Sequence, residues 1–390
     1  MPRKLLLDAL ARAEGAEPEI RAAALLHGAR VLAEFDQQEA ERILEEGLAL
    51  TAGLPERQQG SVMESAVRLA AAVAPQRAVA LLESVPRHRH RLYLSSEIVR
   101  VMIEHGRVEA AVAYLMADLP EGDYPYLVVV SALQRCAEGE TRLRVLRGAI
   151  RAWRRAPDAG FLRLFSQYWT LLPEEEARGL LRAIVEVTLR ERDMPGFNGG
   201  VFDVAFRSTR QYRLFEVLNV LRRLEPELAD SLVAQQPELA AAAERFPEGM
   251  ESAMAEAQVQ ARARAVSAGA FSGGFGMGGH PRDFPAMKAM MEAERHGSVE
   301  PHFEEAQRLY EEDSDRRSPN LAARECWPST QAYRQALYAA GKLHGRDAIV
   351  LLERVPDLDI RVLAQIELAA ALAGLPEVRG SRATFRPPER

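Results

Sequence analysis

Two nine-residue stretches of this chain are nearly identical, although most of the chain separates them. AVALLESVP ends at Pro86, and AIVLLERVP ends at Pro356. The register continues past both prolines, with an arginine five residues later and a glutamate eleven residues later: Arg91 and Glu97 in the first copy, Arg361 and Glu367 in the second. Such agreement without a gap indicates that one structural unit is repeated along the chain.

A third copy, AVAYLMADLP, follows the first copy closely and ends at Pro120. The distance from Pro86 to Pro120 fits a period of about 34 residues, which is typical of two short antiparallel helices with their turns. Further prolines between helical stretches recur at similar intervals: Pro18, Pro55, Pro157, Pro226 and, with a weaker context, Pro195. Glycines that can end the other helix of a pair stand at Gly106, Gly345 and Gly374.

These hairpins predict an all-α fold, an α-α superhelix or solenoid. Each hairpin has an apolar face that only a neighbouring hairpin can bury, so stacking builds one continuous core. The first clear hairpin is expected at 18–53. YLVVV (126–130) is the best strand candidate in the chain. We nevertheless predict a helix there, because Asp123 can cap it and Pro125 suits a first turn.

GRVEAAVAYLMADLP (106–120) and GRDAIVLLERVP (345–356) resemble the second helix of tetratricopeptide repeats. The matching residues are Gly106, Ala110, Tyr114 and Pro120, but the alanine-to-proline distance is short and the first-helix Trp and Tyr are missing. HEAT-like arrays are an equal comparison. The resemblance covers about 18–192 and 330–376. It implies a right-handed superhelix with a concave groove that binds proteins or peptides.

Breaks in the pattern suggest five regions. They are an N-terminal repeat array (1–192), a continuing helical region after a Gly/Pro loop (193–266), a Gly-rich loop with a polar helical insert (267–328), C-terminal repeats (329–378) and a basic tail (379–390). Glycines dominate 267–280, which we expect to be a linker or a lid.

The overall composition argues against several classes of function. The net charge is -6, which argues against a general nucleic-acid or anionic-membrane binder. Two cysteines without a CxxC motif favour a reducing cytoplasm, and the start of the chain lacks a secretory pattern. No uninterrupted apolar run is long enough for a membrane span.

One strongly charged surface is predicted within RLRVLRGAIRAWRR. Four arginines at helical spacing share one face, with Trp153 nearby: Arg144, Arg147, Arg151 and Arg154. This face could bind an acidic peptide, a phosphate or RNA, or it could pair with the acidic residues 174–176. The next helix carries an aromatic stripe that we expect in the core: Phe161, Phe165, Tyr168 and Trp169.

Other candidate sites have weaker support. Gly274, Gly276 and Gly279 match G-x-G-x-x-G but follow no strand, so we do not expect a nucleotide site. Cys326 is expected to be a packed thiol, and methionines near 277–291 to fill a core. The best metal candidates surround two histidines without a recognised spacing: His296, His302, Glu292, Glu300, Glu304 and Glu305. We therefore expect no metal, cofactor or prosthetic group.

The sequence thus predicts a cytoplasmic scaffold that binds a partner protein or peptide along a concave groove, and that could self-associate. Catalysis is not expected. One alternative is an all-helical enzyme or metal protein with its site near 280–327. A second alternative is a helical-repeat protein that binds nucleic acid.

Overall fold

The computed structural model describes residues 1–85, 91–120, 122–135, 139–193, 206, 208–250, 252–253, 256, 296–315 and 323–377. Throughout these ranges the chain is helical and contains no strand, which confirms the predicted all-α class. The α-helices, in chain order, are α1 Pro2–Ala13, α2 Pro18–Leu32, α3 Gln37–Ala52, α4 Glu56–Val73, α5 Pro75–Ser84, α6 Arg91–Glu104, α7 Val108–Met116, α8 Tyr126–Arg135, α9 Gly139–Arg155, α10 Gly160–Tyr168, α11 Glu174–Arg190, α12 Thr209–Glu216, α13 Leu218–Leu224, α14 Pro226–Gln235, α15 Pro237–Arg245, α16 Glu300–Asp315, α17 Pro328–His344 and α18 Leu358–Leu372. Segments of 3₁₀ helix lie at Trp169–Leu171, Arg324–Cys326 and Gly345–Arg354.

Prolines and glycines mark the helix ends as the sequence predicts. Pro18 and Pro226 are the first residues of α2 and α14, where a missing N–H costs nothing. Gly345 follows α17 with a φ of 58°, and Gly374 follows α18 with a φ of 79°. A side chain at either position would strain the backbone, since L-residues rarely adopt positive φ. The YLVVV stretch forms α8, so the choice of helix over strand is confirmed.

The two nearly identical stretches occupy equivalent places. The first, described as far as Val85, runs through α5, which packs with α4 and α6, and the second packs in the same way with α17 and α18. Equivalent residues are buried in the two copies: Ala78 and Ala348, Leu82 and Leu352, Val85 and Val355. The winding differs, however, because Gly345–Arg354 is a 3₁₀ helix rather than the expected α-helix. The repeated pattern therefore specifies which side chains are buried, but it does not specify whether the segment is an α-helix or a 3₁₀ helix.

The chain divides into two compact units. The first comprises Met1–Ala111 together with Met277–Arg390, and the second comprises Val112–Gly276. The predicted regions, and the superhelical arrangement of the hairpins, stay predictions.

In the first unit the beginning and the end of the chain pack together. α18 contacts both α1 and α2. α2 also packs against α3 and α4, and α17 packs against α16. Sequence reasoning did not predict α1 as a helix. α2 and α18 are the central helices, since each is buried around almost its whole circumference. Their alanine-rich sequences suit this position, because small side chains let helices approach closely from several sides.

The second unit has an aromatic core between α8, α9 and α10. The Phe161 ring lies 5.3 Å from the Trp153 ring and 5.9 Å from the Tyr126 ring. A second aromatic group joins Phe206, Phe215 of α12 and Phe246 after α15. The first group of rings holds the apolar face of α9 inward, so its opposite face meets solvent.

Candidate functional site

The exposed face of α9 carries the four predicted arginines. Arg144, Arg147, Arg151 and Arg154 are all exposed, while the residues between them are buried. At 100° per residue the four side chains fall within about 80° of the helix circumference. The structure thus brings the predicted basic surface together; we call these four residues the arginine face.

Only part of the arginine face is neutralised. Arg147 forms an ion pair with Glu176 of α11, with 3.2 Å between the two charged groups. Arg151 donates to the backbone carbonyl of Met116 at 3.2 Å, which satisfies a hydrogen bond without cancelling its charge. Among the described residues, no carboxylate pairs with Arg144 or Arg154. The acidic residues 174–176 therefore compensate for one arginine of the four.

Trp153 does not lie on this surface. Its side chain is buried against Phe161, with an angle of 25° between the ring planes. Phe161 and Phe165 are also buried, as expected, whereas Tyr168 and Trp169 are half-buried. Trp153 therefore packs on the buried side of α9 and is not available to a partner in this conformation.

A second concentration of charge lies inside the first unit, where α2 meets α17 and α18. Arg30 of α2 donates to Oε2 of Glu367 at 3.0 Å and to the Pro376 carbonyl at 2.7 Å. Arg334 of α17 donates to Oε1 of the same glutamate at 2.6 Å. The Arg30 side chain has no exposed surface, and those of Glu367 and Arg334 are 3% and 4% exposed. We call Arg30, Glu367 and Arg334 the buried triad.

Further polar groups extend the buried triad towards Arg324–Cys326. His27 Nδ1 lies 3.0 Å from Arg334 Nη2, and His27 Nε2 lies 3.6 Å from Glu325 Oε2. Glu19 accepts a 3.0 Å hydrogen bond from the backbone N–H of Arg324. The network therefore connects α2 to three separate elements near the end of the chain.

The arginines of the triad control the ionisation of Glu367. Burial alone would raise the pKa of this carboxyl, but Arg30 and Arg334 outweigh burial and hold its pKa well below the usual value. At Glu19 the balance is reversed, because burial raises the pKa and the hydrogen bond from Arg324 offsets only part of this effect. Glu367 is therefore an anion at every physiological pH, and it lies between the guanidinium groups of Arg30 and Arg334.

Sequence reasoning did not identify this network. In the sequence, Glu367 stood out only as a repeated position, and the other members of the network could not be distinguished from ordinary charged residues. The available signal was the position of single charges within apolar runs, EIRAAALLHGARVL in α2 and IRVLAQIELAAAL in α18. A charge in such a run must be buried, and a buried charge needs a partner.

The region predicted as an alternative enzyme or metal site shows ordinary surface pairing where it is described. Glu300 forms an ion pair with Arg354 at 2.7 Å, and Glu305 pairs with Arg308 along α16. Within the described ranges, no group of three or more His, Cys, Asp or Glu side chains could hold a metal ion. Glu292 lies outside the described residues, as do the methionines at 277–291 and the Gly-rich segment with Gly274, Gly276 and Gly279.

Cys326 is a free thiol next to the buried network. Burial, reinforced by the negative charge of Glu325, raises the pKa of this thiol far above its usual value. A thiol that stays protonated is a poor nucleophile. This environment fits the predicted packed cysteine.

No helix in the described part of the chain is both long and apolar enough to cross a membrane. Comparisons with protein-family models, curated proteins and solved structures find no match to this chain.

Proposed function

We propose that this protein is a helical protein-binding scaffold whose arginine face binds an acidic segment of a partner protein. The observation that carries the proposal is the exposure of four arginines on one face of α9, of which, among the described residues, only Arg147 meets a carboxylate. Guanidinium groups at helical spacing that lack an ion-pair partner can each form paired hydrogen bonds with a carboxylate. An acidic helix or extended segment laid along α9 would supply those carboxylates.

Three features restrain α9 and part of its arginine face. Arg151 is anchored to the Met116 carbonyl, and Arg155, at the end of α9, pairs with Asp118 and donates to the Leu119 carbonyl. The stacked rings of Trp153 and Phe161 pack the buried side of α9 against α10. Side chains that are already restrained lose less entropy on binding, so more of the favourable electrostatic energy remains as binding free energy.

A second part of the proposal concerns how the repeated hairpins are arranged. Stacked hairpins with the tetratricopeptide-like or HEAT-like pattern would form a superhelix, and the arginine face would lie along its groove. We place the protein in the cytoplasm, where a free thiol such as Cys326 stays reduced. Self-association through the same surfaces is a further part of this proposal.

The test is binding of a fluorescein-labelled, glutamate-rich peptide long enough to span α9, measured by anisotropy at low and high salt. Replacing Arg144, Arg151 and Arg154 with glutamate should weaken binding by on the order of 100-fold, since each lost charge-assisted contact costs about 1 kcal/mol or more. A matched control reverses three exposed arginines elsewhere for which the described part of the chain supplies no ion pair: Arg192→Glu, Arg223→Glu and Arg346→Glu. The control should bind like the wild type.

Equal losses in the two triple variants would show that only net charge matters, and the proposal would fail. A single-stranded RNA of similar length is run in parallel. If RNA binds through the arginine face and the peptide does not, the nucleic-acid alternative replaces this proposal. No described contact favours the enzyme alternative near 280–327 over either of these.

A further inference from the structure

The interface between the two ends of the chain has the properties of a specific binding surface. α2 buries almost all of its residues, and its partners in α17 and α18 belong to the distant C-terminal part of the chain. A further contact between the ends is made by Gln365 of α18, which donates to the Leu5 carbonyl and to Asp8 of α1. The residues that meet at this interface thus belong to two distant stretches of one polypeptide.

Polar groups buried on α2 find their hydrogen-bond partners across this interface. Arg30 has its two acceptors on Glu367 and Pro376, and Glu19 has its donor on Arg324. Separating the two stretches would leave a fully buried guanidinium without a partner, or would expose the apolar surface around it. Any other surface that covered α2 would have to supply a carboxylate at the same point.

We infer that the N-terminal stretch 1–111 and the C-terminal stretch 296–377 bind each other specifically through the buried triad, so that the molecule stays together when the chain is cut between them. The partner of this surface is the C-terminal stretch of the same chain. The inference concerns the first unit and does not depend on the proposed binding of an acidic segment to α9.

The repeat supplies a control residue for the triad. Glu97 occupies in α6 the position that Glu367 occupies in α18, eleven residues after the proline. Glu97 pairs with Arg100 of its own helix at 2.7 Å, so its ion pair is local. Glu97→Gln and Glu367→Gln therefore make the same chemical change at equivalent positions, and only the second alters the interface between the ends.

The experiment inserts the recognition sequence of a site-specific protease between Gly278 and Gly279 of the full chain. After complete cleavage, the two fragments should co-elute on size-exclusion chromatography under native conditions. Glu367→Gln should weaken their association on the order of 100-fold, because breaking a buried ion pair leaves uncompensated charge worth about 3 kcal/mol or more. Glu97→Gln should leave the association unchanged.

Fragments that separate without any substitution would overturn the inference. If the fragments stay together but the two glutamine variants behave alike, the triad does not supply the specificity and that part is wrong. Should uncleaved Glu367→Gln fail to fold, Arg30→Lys replaces it, since a lysine keeps the charge but cannot reach both acceptors with a planar fork. Arg30→Lys should also weaken association, and unchanged association would count against the triad.

Discussion

At the residue scale, Glu97 and Glu367 show how far a repeated pattern can be interpreted. Both mark the same position of the repeat, yet one is a half-buried carboxyl paired along its own helix and the other is the centre of a buried triad. The difference lies in the neighbours, since α2 and α17 bring Arg30 and Arg334 to Glu367 only in the folded chain. The repeat predicts the position, but it could not predict which copy would have its charged partners on other helices.

Glu216 is a second carboxyl whose environment was hidden from the sequence. It is the last residue of α12 and is buried, and burial raises its pKa from the ordinary 4.5 to about 7. Tyr212 on the same helix hydrogen-bonds the carboxyl, and Arg163 and Arg213 attract it, but these effects only partly offset burial. The folded state therefore holds this proton more tightly than the unfolded state does.

The expected consequence is a loss of stability as pH rises from about 4.5 to about 7, with no further loss from this group above that range. Glu216→Gln resembles the protonated form, so it should stabilise the fold at pH 8 by up to ~3 kcal/mol and change its stability little at pH 4.5. The control, Glu186→Gln, alters an exposed carboxyl of α11. Thermal melts followed by circular dichroism at both pH values decide the matter. A Glu216→Gln effect of equal size at both values contradicts the assigned cause.

At the element scale, most of the helices were predictable. Proline and glycine punctuation and the apolar periodicity place α2 to α6 within a few residues of their observed ends. Two features were not predictable from pattern. α1 lies in a short amphipathic stretch whose apolar face is covered by distant α18, and the 3₁₀ winding of Gly345–Arg354 preserves the same buried residues as an α-helix. The packing of α1 on α18 is a tertiary contact that local sequence does not contain, and the sequence pattern of Gly345–Arg354 does not distinguish the two windings.

Close contact between elements leads to a prediction at Gly148 of α9. A Cβ added there would lie 2.7 Å from the backbone carbonyl oxygen of Leu115 in α7, which cannot easily move. Gly148→Ala should therefore destabilise the protein by about 1–3 kcal/mol through overpacking. Gly179→Ala in α11 is the matched control, because a Cβ there meets nothing within 4 Å. That control should stabilise by about 0.5–1 kcal/mol, as alanine usually does in a helix. Urea denaturation of the two variants tests the opposite signs, and equal signs would be inconsistent with the close approach.

At the scale of the whole molecule, the all-α class was predictable from the sequence, but the contact between stretches that are distant in sequence was not. Stacked repeats lead to the expectation that each hairpin contacts mainly its neighbours in the chain. The first unit joins Met1–Ala111 to Met277–Arg390, and Val112–Gly276 forms a unit of its own. The stacking of the hairpins stays a prediction. A single sequence contains no signal that α1 and α18 are in contact, because their apolar faces would suit many partners. The charged sites follow the same rule: helical spacing predicts the exposed arginines of α9, and apolar runs indicate that Arg30 and Glu367 are buried, but neither pattern names the residues that pair with them.

The contact between the two ends permits a test in the intact molecule. Leu6 and Leu7 are adjacent in α1, but Leu6 is fully buried and Leu7 is 46% exposed. Leu6→Ala should destabilise the first unit by about 2–4 kcal/mol, whereas Leu7→Ala should cost less than about 1 kcal/mol. Because α1 packs on α18, the Leu6 variant should also accelerate amide hydrogen exchange in Leu358–Leu372, which lies at the other end of the chain. Exchange measured by mass spectrometry, with the Leu7 variant as reference, tests this coupling. If exchange in α18 is the same in both variants, the two ends do not stabilise each other in solution.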